Sequence, residues 1–241
     1  MQPLVKISFV DAVKRALLLF KLSFKSTFVY AFMVALINEL VTFGLMGTFT
    51  FDGANLSVTS PYLFALYLAL LFLDILLGNC FILIKQNRIL INEELPFKGV
   101  LQILLARLPG IFISGIAFTL CFMVGVALFV VPGILFMTCF YVYLPGLLFA
   151  HKRAFESWRY SFSLIRKHFL ASMSLVLLSL ILMRILAKIA DLLGGGGFSF
   201  DNSSAYFGLE VTGMVLLTAF ALLLTNGMNL VWFYMLHKNK Q

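Results

Sequence analysis

Five ionisable residues lie inside or at the edge of long apolar runs: Glu39, Asp74, Arg184, Lys188 and Glu210. A charge at mid-bilayer costs about 2.5–3.5 kcal/mol on insertion scales, so each needs protein or water around it and a partner. Counted along the runs, Glu39, Asp74 and Arg184 fall near mid-depth or somewhat outward. Lys188 is one turn further out on the face of Arg184, and Glu210 stands near the outer start of the last run. Two chemistries fit this set. One is a proton or anion path. The other is a buried ion pair that fixes helix register, with Arg184 held by Glu39 or Asp74, and with Lys188 near Glu210 or snorkelling outward. The ion pair is the expectation. Asn38, Asn79, Asn226 and Asn229 sit on the same runs, where interhelical hydrogen bonds are the usual use of an amide.

Other reactive residue types do not assemble by spacing. His151 and His168 flank an inner amphipathic segment, and His237 ends the last run, with no HxxxH or HExxH pattern. Contact with headgroups or solvent is expected of them. Cys80, Cys121 and Cys139 lie far apart within apolar runs and read as buried free thiols. There is no nucleophile elbow, P-loop or dinucleotide fingerprint. No catalytic, cofactor-binding or metal-ligating residue is therefore expected, and the chain reads as a protein that is not an enzyme.

The elements that must hold these residues follow from composition. Apolar residues make up 62% of the chain and charged residues 12%, against roughly a quarter charged in soluble domains. Runs near 26–48, 61–84, 108–129, 132–150, 169–190 and 208–236 are each long enough to cross hydrocarbon as a helix. They lack the alternation of barrel strands. Every Lys and Arg except Arg184 and Lys188 falls before the first run, after the second, after the fourth or at the chain end. The alternate loops near 49–60, 129–132 and 191–207 have none, so both termini are expected inside. The formal net charge of +8 suits an anionic inner leaflet; nucleic acid is not an expected partner. One integral membrane domain over residues 1–241 is expected.

Turn signals punctuate the runs. Asp52-Gly53 and Ser60-Pro61 mark the first outer loop, and Gly194 to Gly197 should stop the fifth run and act as a flexible linker. Val131-Pro132-Gly133 predicts a tight outer hairpin, Pro109-Gly110 the start of the third span, and Pro145-Gly146 a kink or end late in the fourth. Amphipathic segments beginning at Ser8-Phe9, Pro96-Phe97 and Ala154-Phe155 precede the first, third and fifth spans. In the last of them Phe155, Trp158 and Phe162 recur at helical spacing and are expected to anchor a cytoplasmic-side interfacial helix. The fold expected is thus an all-α membrane protein of six transmembrane helices, built from three similar units, each an interfacial helix plus a helical hairpin.

Two stretches resemble a known family: Phe129-Val130-Val131-Pro132-Gly133-Ile134-Leu135-Phe136, and the segment from Ala154 to Phe169 that contains Phe155, Trp158 and Arg166. The C-terminal Asn229-Leu230-Val231-Trp232-Phe233-Tyr234-Met235 fits the same pattern. Together they look like the YciC-type family of bacterial inner-membrane proteins, and more distantly the membrane domain found beside some glycerophosphodiester phosphodiesterases. The chain departs from the pattern at the basic turn His151-Lys152-Arg153. The resemblance implies a six-span protein of the bacterial inner membrane and carries no catalytic residues. The function expected is binding of membrane lipid, or of another membrane protein, in envelope maintenance. The alternative is a small transporter or channel component that uses Glu39, Asp74, Arg184 and Lys188.

Overall fold

A backbone in hydrocarbon must satisfy its own N–H and C=O groups, so long apolar runs with few interior breakers become long helices. The computed structural model describes residues 8–46, 49–52, 55–58, 60–93, 95–128, 130–193 and 204–238. The chain order is α1 (Phe9–Met46), β1 (Phe49–Asp52), β2 (Asn55–Val58), α2 (Pro61–Leu90), α3 (Phe97–Leu128), α4 (Val130–Cys139), α5 (Tyr143–Phe149), α6 (Ala154–Ile165), α7 (Phe169–Leu193) and α8 (Ser204–Lys238). A single 3-10 turn, Arg166–His168, joins α6 to α7. Five stretches are helical, long and apolar enough to cross a membrane: Phe9–Thr42, Phe97–Gly125, Val131–Phe149, Ala154–Leu186 and Thr212–Lys238. The side chain of Glu210 and the Gly194–Gly197 run lie outside the described residues.

α8 is the hub, with α1, α2 and α7 all packed on it. Its C-terminal half carries Trp232 and Phe233, the two largest fully buried side chains among the described residues. α1 meets it through a stripe of mostly small residues, Ala12, Ala16, Ser23, Thr27, Ala31 and Ala35, all buried. Small residues at this spacing let two backbones approach closely, the main source of packing energy where lipid replaces water. Phe20, Phe24 and Phe28 flank the stripe and meet Phe220 with ring centroids 5.8, 5.4 and 5.8 Å away. α2 begins at Pro61, with the Ser60 hydroxyl accepting a hydrogen bond from the Leu63 N–H.

The described residues are helical as the all-α reading expects, with one short antiparallel hairpin added, in which β1 and β2 pair from Phe49↔Val58 to Asp52↔Asn55. Several other expectations are corrected. The amphipathic segments before the first and third spans are not separate interfacial helices but the first turns of α1 and α3. Nothing in Phe24-Lys25-Ser26 breaks the helix, so α1 runs on for 38 residues. Pro109 lies inside α3, not at its start. Only the third segment stands as its own helix, α6. Cys121 is exposed and Cys139 half-buried, so Cys80 is the one of these free thiols that is buried as expected. Val131-Pro132-Gly133 lies in the first turn of α4, where α3 and α4 pack closely: a Cβ on Gly125 would lie 3.2 Å from the Gly133 Cα.

Candidate functional site: a polar cavity at a broken helix

The apolar stretch Val131–Phe149 is broken near its middle. α4 ends at Cys139 and α5 starts at Tyr143. The cause is local. Pro145 has no N–H for the Tyr141 carbonyl, and its ring crowds that carbonyl, so the helix yields just before the proline rather than at it. The Tyr143 N–H turns to the Phe140 carbonyl at 3.0 Å, and the Gly146 N–H finds Val142 at 3.1 Å. The Cys139 carbonyl, which Tyr143 would serve in a regular helix, accepts instead from the Ser161 hydroxyl on α6 at 3.1 Å. Non-helical backbone at membrane depth is tolerated where protein satisfies it or where it lines a cavity. Both conditions hold here.

Phe140, Tyr141, Tyr143 and Leu144, at the break, form one wall of a cavity of about 450 Å³. α2 contributes Phe72, Leu76 and Asn79; α3 contributes Phe118 and Thr119; α7 contributes Ser179 and Met183; α8 contributes Thr225, Asn226 and Asn229. The walls are aliphatic and aromatic, and the polar groups are amides and hydroxyls. No Asp, Glu, Lys, Arg or His lines it. Asn226 Nδ2 donates to Asn79 Oδ1 at 2.7 Å, joining α8 to α2. The Tyr141 hydroxyl lies 3.4 Å from Ser179 Oγ, joining the broken span to α7. Asn229 Oδ1 is buried and has no hydrogen-bond partner within the protein. A buried acceptor of this kind is normally matched by water or by a ligand donor.

Trp158 is not the surface anchor expected. Its indole packs inward, 5.1 Å from Phe140 and edge-on to Phe118, Phe136 and Tyr143. It therefore braces the cavity wall from behind. Phe155 and Phe162 are exposed. The reason is the small face of α6, where Ala154, Ser157 and Ser161 are buried and draw the helix onto α5, turning its tryptophan inward.

The embedded charges do not converge. Glu39 accepts from the Thr218 hydroxyl at 3.2 Å. Asp74 has Asn38 as its hydrogen-bond partner, while its Oδ2 is buried without one. Arg184 is exposed on the outside of α7 with Ile181 and Ile185, and Lys188 is exposed on the same face. The expected pairing of Arg184 with Glu39 or Asp74 is thus corrected: Arg184 faces away from both, while Arg88, near the C-terminal end of α2, pairs with Glu93. Similar depth brought the charges together on paper, but Arg184 points away from the bundle. The amides fared better, since Asn79 and Asn226 meet as expected of interhelical partners.

The histidines are likewise apart, His151 on Arg107 and His237 on Tyr160. Among the described residues no group of His, Cys, Asp and Glu could hold a metal ion. Tyr141, Ser179, Thr119 and Thr225 escaped sequence reasoning. The available signal was Tyr141, placed four residues before a proline in an apolar run. The hydroxyls gave none, because Ser and Thr in such helices bond back to their own backbone, as Ser179 does to Leu175 at 2.9 Å. Compared with known proteins, the chain matches no family model, no curated protein and no solved structure.

Proposed function

We propose that this is a non-enzymatic, six-span protein of the bacterial inner membrane that binds a membrane lipid with a small uncharged head in the cavity at the broken span. α2 supplies the sixth span, and the basic loops hold both termini in the cytoplasm. One observation carries the reading: a cavity within the bundle with apolar walls, neutral hydrogen-bonding groups and the unpartnered acceptor Asn229 Oδ1. Ligand sites are commonly of this size and character. A hydroxyl-bearing lipid would donate to Asn229 and lay its chains along Phe72, Leu76 and Met183. The absence of a cation from the lining disfavours a phosphate headgroup there.

The alternative of an ion path is less well supported. Asp74 faces a groove on α1 and α2, Arg184 and Lys188 face outward from α7, and Glu39 is bonded to α8. They share no cavity.

The test is lipid retention. Protein purified in mild detergent should carry a neutral lipid detectable by native mass spectrometry. Asn229→Leu and the cavity-filling Ser179→Phe should each reduce it while leaving the protein monodisperse. Equal retention by both variants, or a lipid-free wild type, would sink the proposal.

A further inference from the structure

We infer that Arg184 of one copy docks on Asp74 of a second copy of this chain, so that the protein associates with itself in the membrane. Both groups lack what a mid-membrane charge needs. Arg184 is exposed on a face of α7 that it shares with Lys188, beside Ile181 and Ile185, which are 55% and 52% exposed. Asp74 lies in a groove of about 330 Å³ formed by Val34, Ile37, Leu70 and Gly78 among others, with Oδ2 unpartnered. A face carrying cations and a groove carrying an anion are complementary in charge.

Their depths agree as well. Measured from Lys85 on α2 and from Phe169 on α7, at 1.5 Å per residue, Asp74 lies about 16 Å and Arg184 about 22 Å along the helix. In the alternating topology α2 runs inward and α7 outward. Side chains tilt toward the N-terminus of their own helix, so Asp74 leans outward and Arg184 leans inward. The two charges lean toward one level, and a long guanidinium spans the remainder. Copies inserted in the same orientation hold these levels in common. Within one copy the groups face different ways, so a second copy is the arrangement that satisfies both.

The groove between α1 and α2 is a fixed feature. A Cβ on Gly78 would lie 2.4 Å from Val34 Cγ1, so glycine is what allows the two helices to sit this close. Association in lipid depends on such close packing and on polar contacts, since burying apolar surface drives little there.

Two differently tagged copies, each with Cys80→Ala, Cys121→Ser and Cys139→Ala, are co-expressed. One carries Ile185→Cys and the other Leu70→Cys, which leaves both charges in place. A short thiol cross-linker applied to membranes is expected to join the two tags at dimer mass. Arg184→Gln or Asp74→Asn, both close in shape, should each cut the product by about tenfold or more. The swap Arg184→Asp with Asp74→Arg should restore it. Three results would overturn the inference: no product between the tags; a product indifferent to both neutral substitutions; or a monomeric wild type whose bound phospholipid falls with Arg184→Gln, which would assign the guanidinium to a lipid phosphate.

Discussion

At the scale of single residues, the cavity wall depends on a few contacts that differ in kind. Asn226 and Asn79 form a neutral interhelical hydrogen bond. Such bonds average about 0.6 kcal/mol and reach about 1.7 kcal/mol in membrane proteins. Asn226→Leu should therefore cost little by itself, and Asn79→Leu made in its presence should cost less than alone. A double-mutant cycle on unfolding in mixed micelles reads the coupling; strict additivity would show that the bond contributes nothing. Trp158 is a different case, because it packs on five rings at once. Trp158→Ala should destabilise by about 3–5 kcal/mol, as large aromatic truncations in packed sites do. Phe155→Ala and Phe162→Ala remove exposed side chains and should cost far less. Comparable melting losses for all three would contradict the inward placement of Trp158.

At the scale of elements, the broken span is the feature on which the cavity rests. Pro145 withholds one N–H, Ser161 supplies one donor, and the backbone between Cys139 and Tyr143 opens between them. Pro145→Ala returns an amide to the Tyr141 carbonyl and removes the ring clash. The span should then close into a continuous helix, which draws Tyr141 out of the cavity wall. Slower amide exchange across residues 140–146, together with less retained lipid, is the expected pair of results. Exchange unchanged at those amides would mean that packing, not the proline, keeps the break open. Ser161→Ala has the opposite sense: the Cys139 carbonyl loses its donor in a region without water, and stability should fall by about 1–3 kcal/mol.

At the scale of the whole molecule, the basic loops and the helix count make a topology that can be tested directly. A cysteine at Ser57, in β2, should react with a membrane-impermeant reagent applied to intact cells. One at Ser163, in α6, should react only after the membrane is opened. Both tests need the same cysteine-free background. Labelling of the second site in intact cells would break the six-span arrangement and, with it, the opposed tilts of Asp74 and Arg184.

How far the sequence reached depends on which signals are local. The presence of long apolar helical runs and the bias of Lys and Arg toward alternate loops are properties of short stretches, and they were readable. The break before Pro145 was legible to within a few residues for the same reason. The face that each helix turns inward was not. In water an apolar stripe marks the buried side, but a helix bathed in lipid is apolar all round. α3 shows this: Ile111 is fully buried while Ile113, Ile116 and Leu120 are exposed, and nothing in their chemistry tells them apart. Hence Arg184 could be placed at a depth but not on a face, and Trp158 looked like a surface anchor. The meeting of Tyr141 with Ser179 and of Asn79 with Asn226 joins segments far apart in the chain. Only the packing of α2, α4, α7 and α8 about one cavity decides those contacts, because rotation of a uniformly apolar helix is set by its neighbours and not by its own residues.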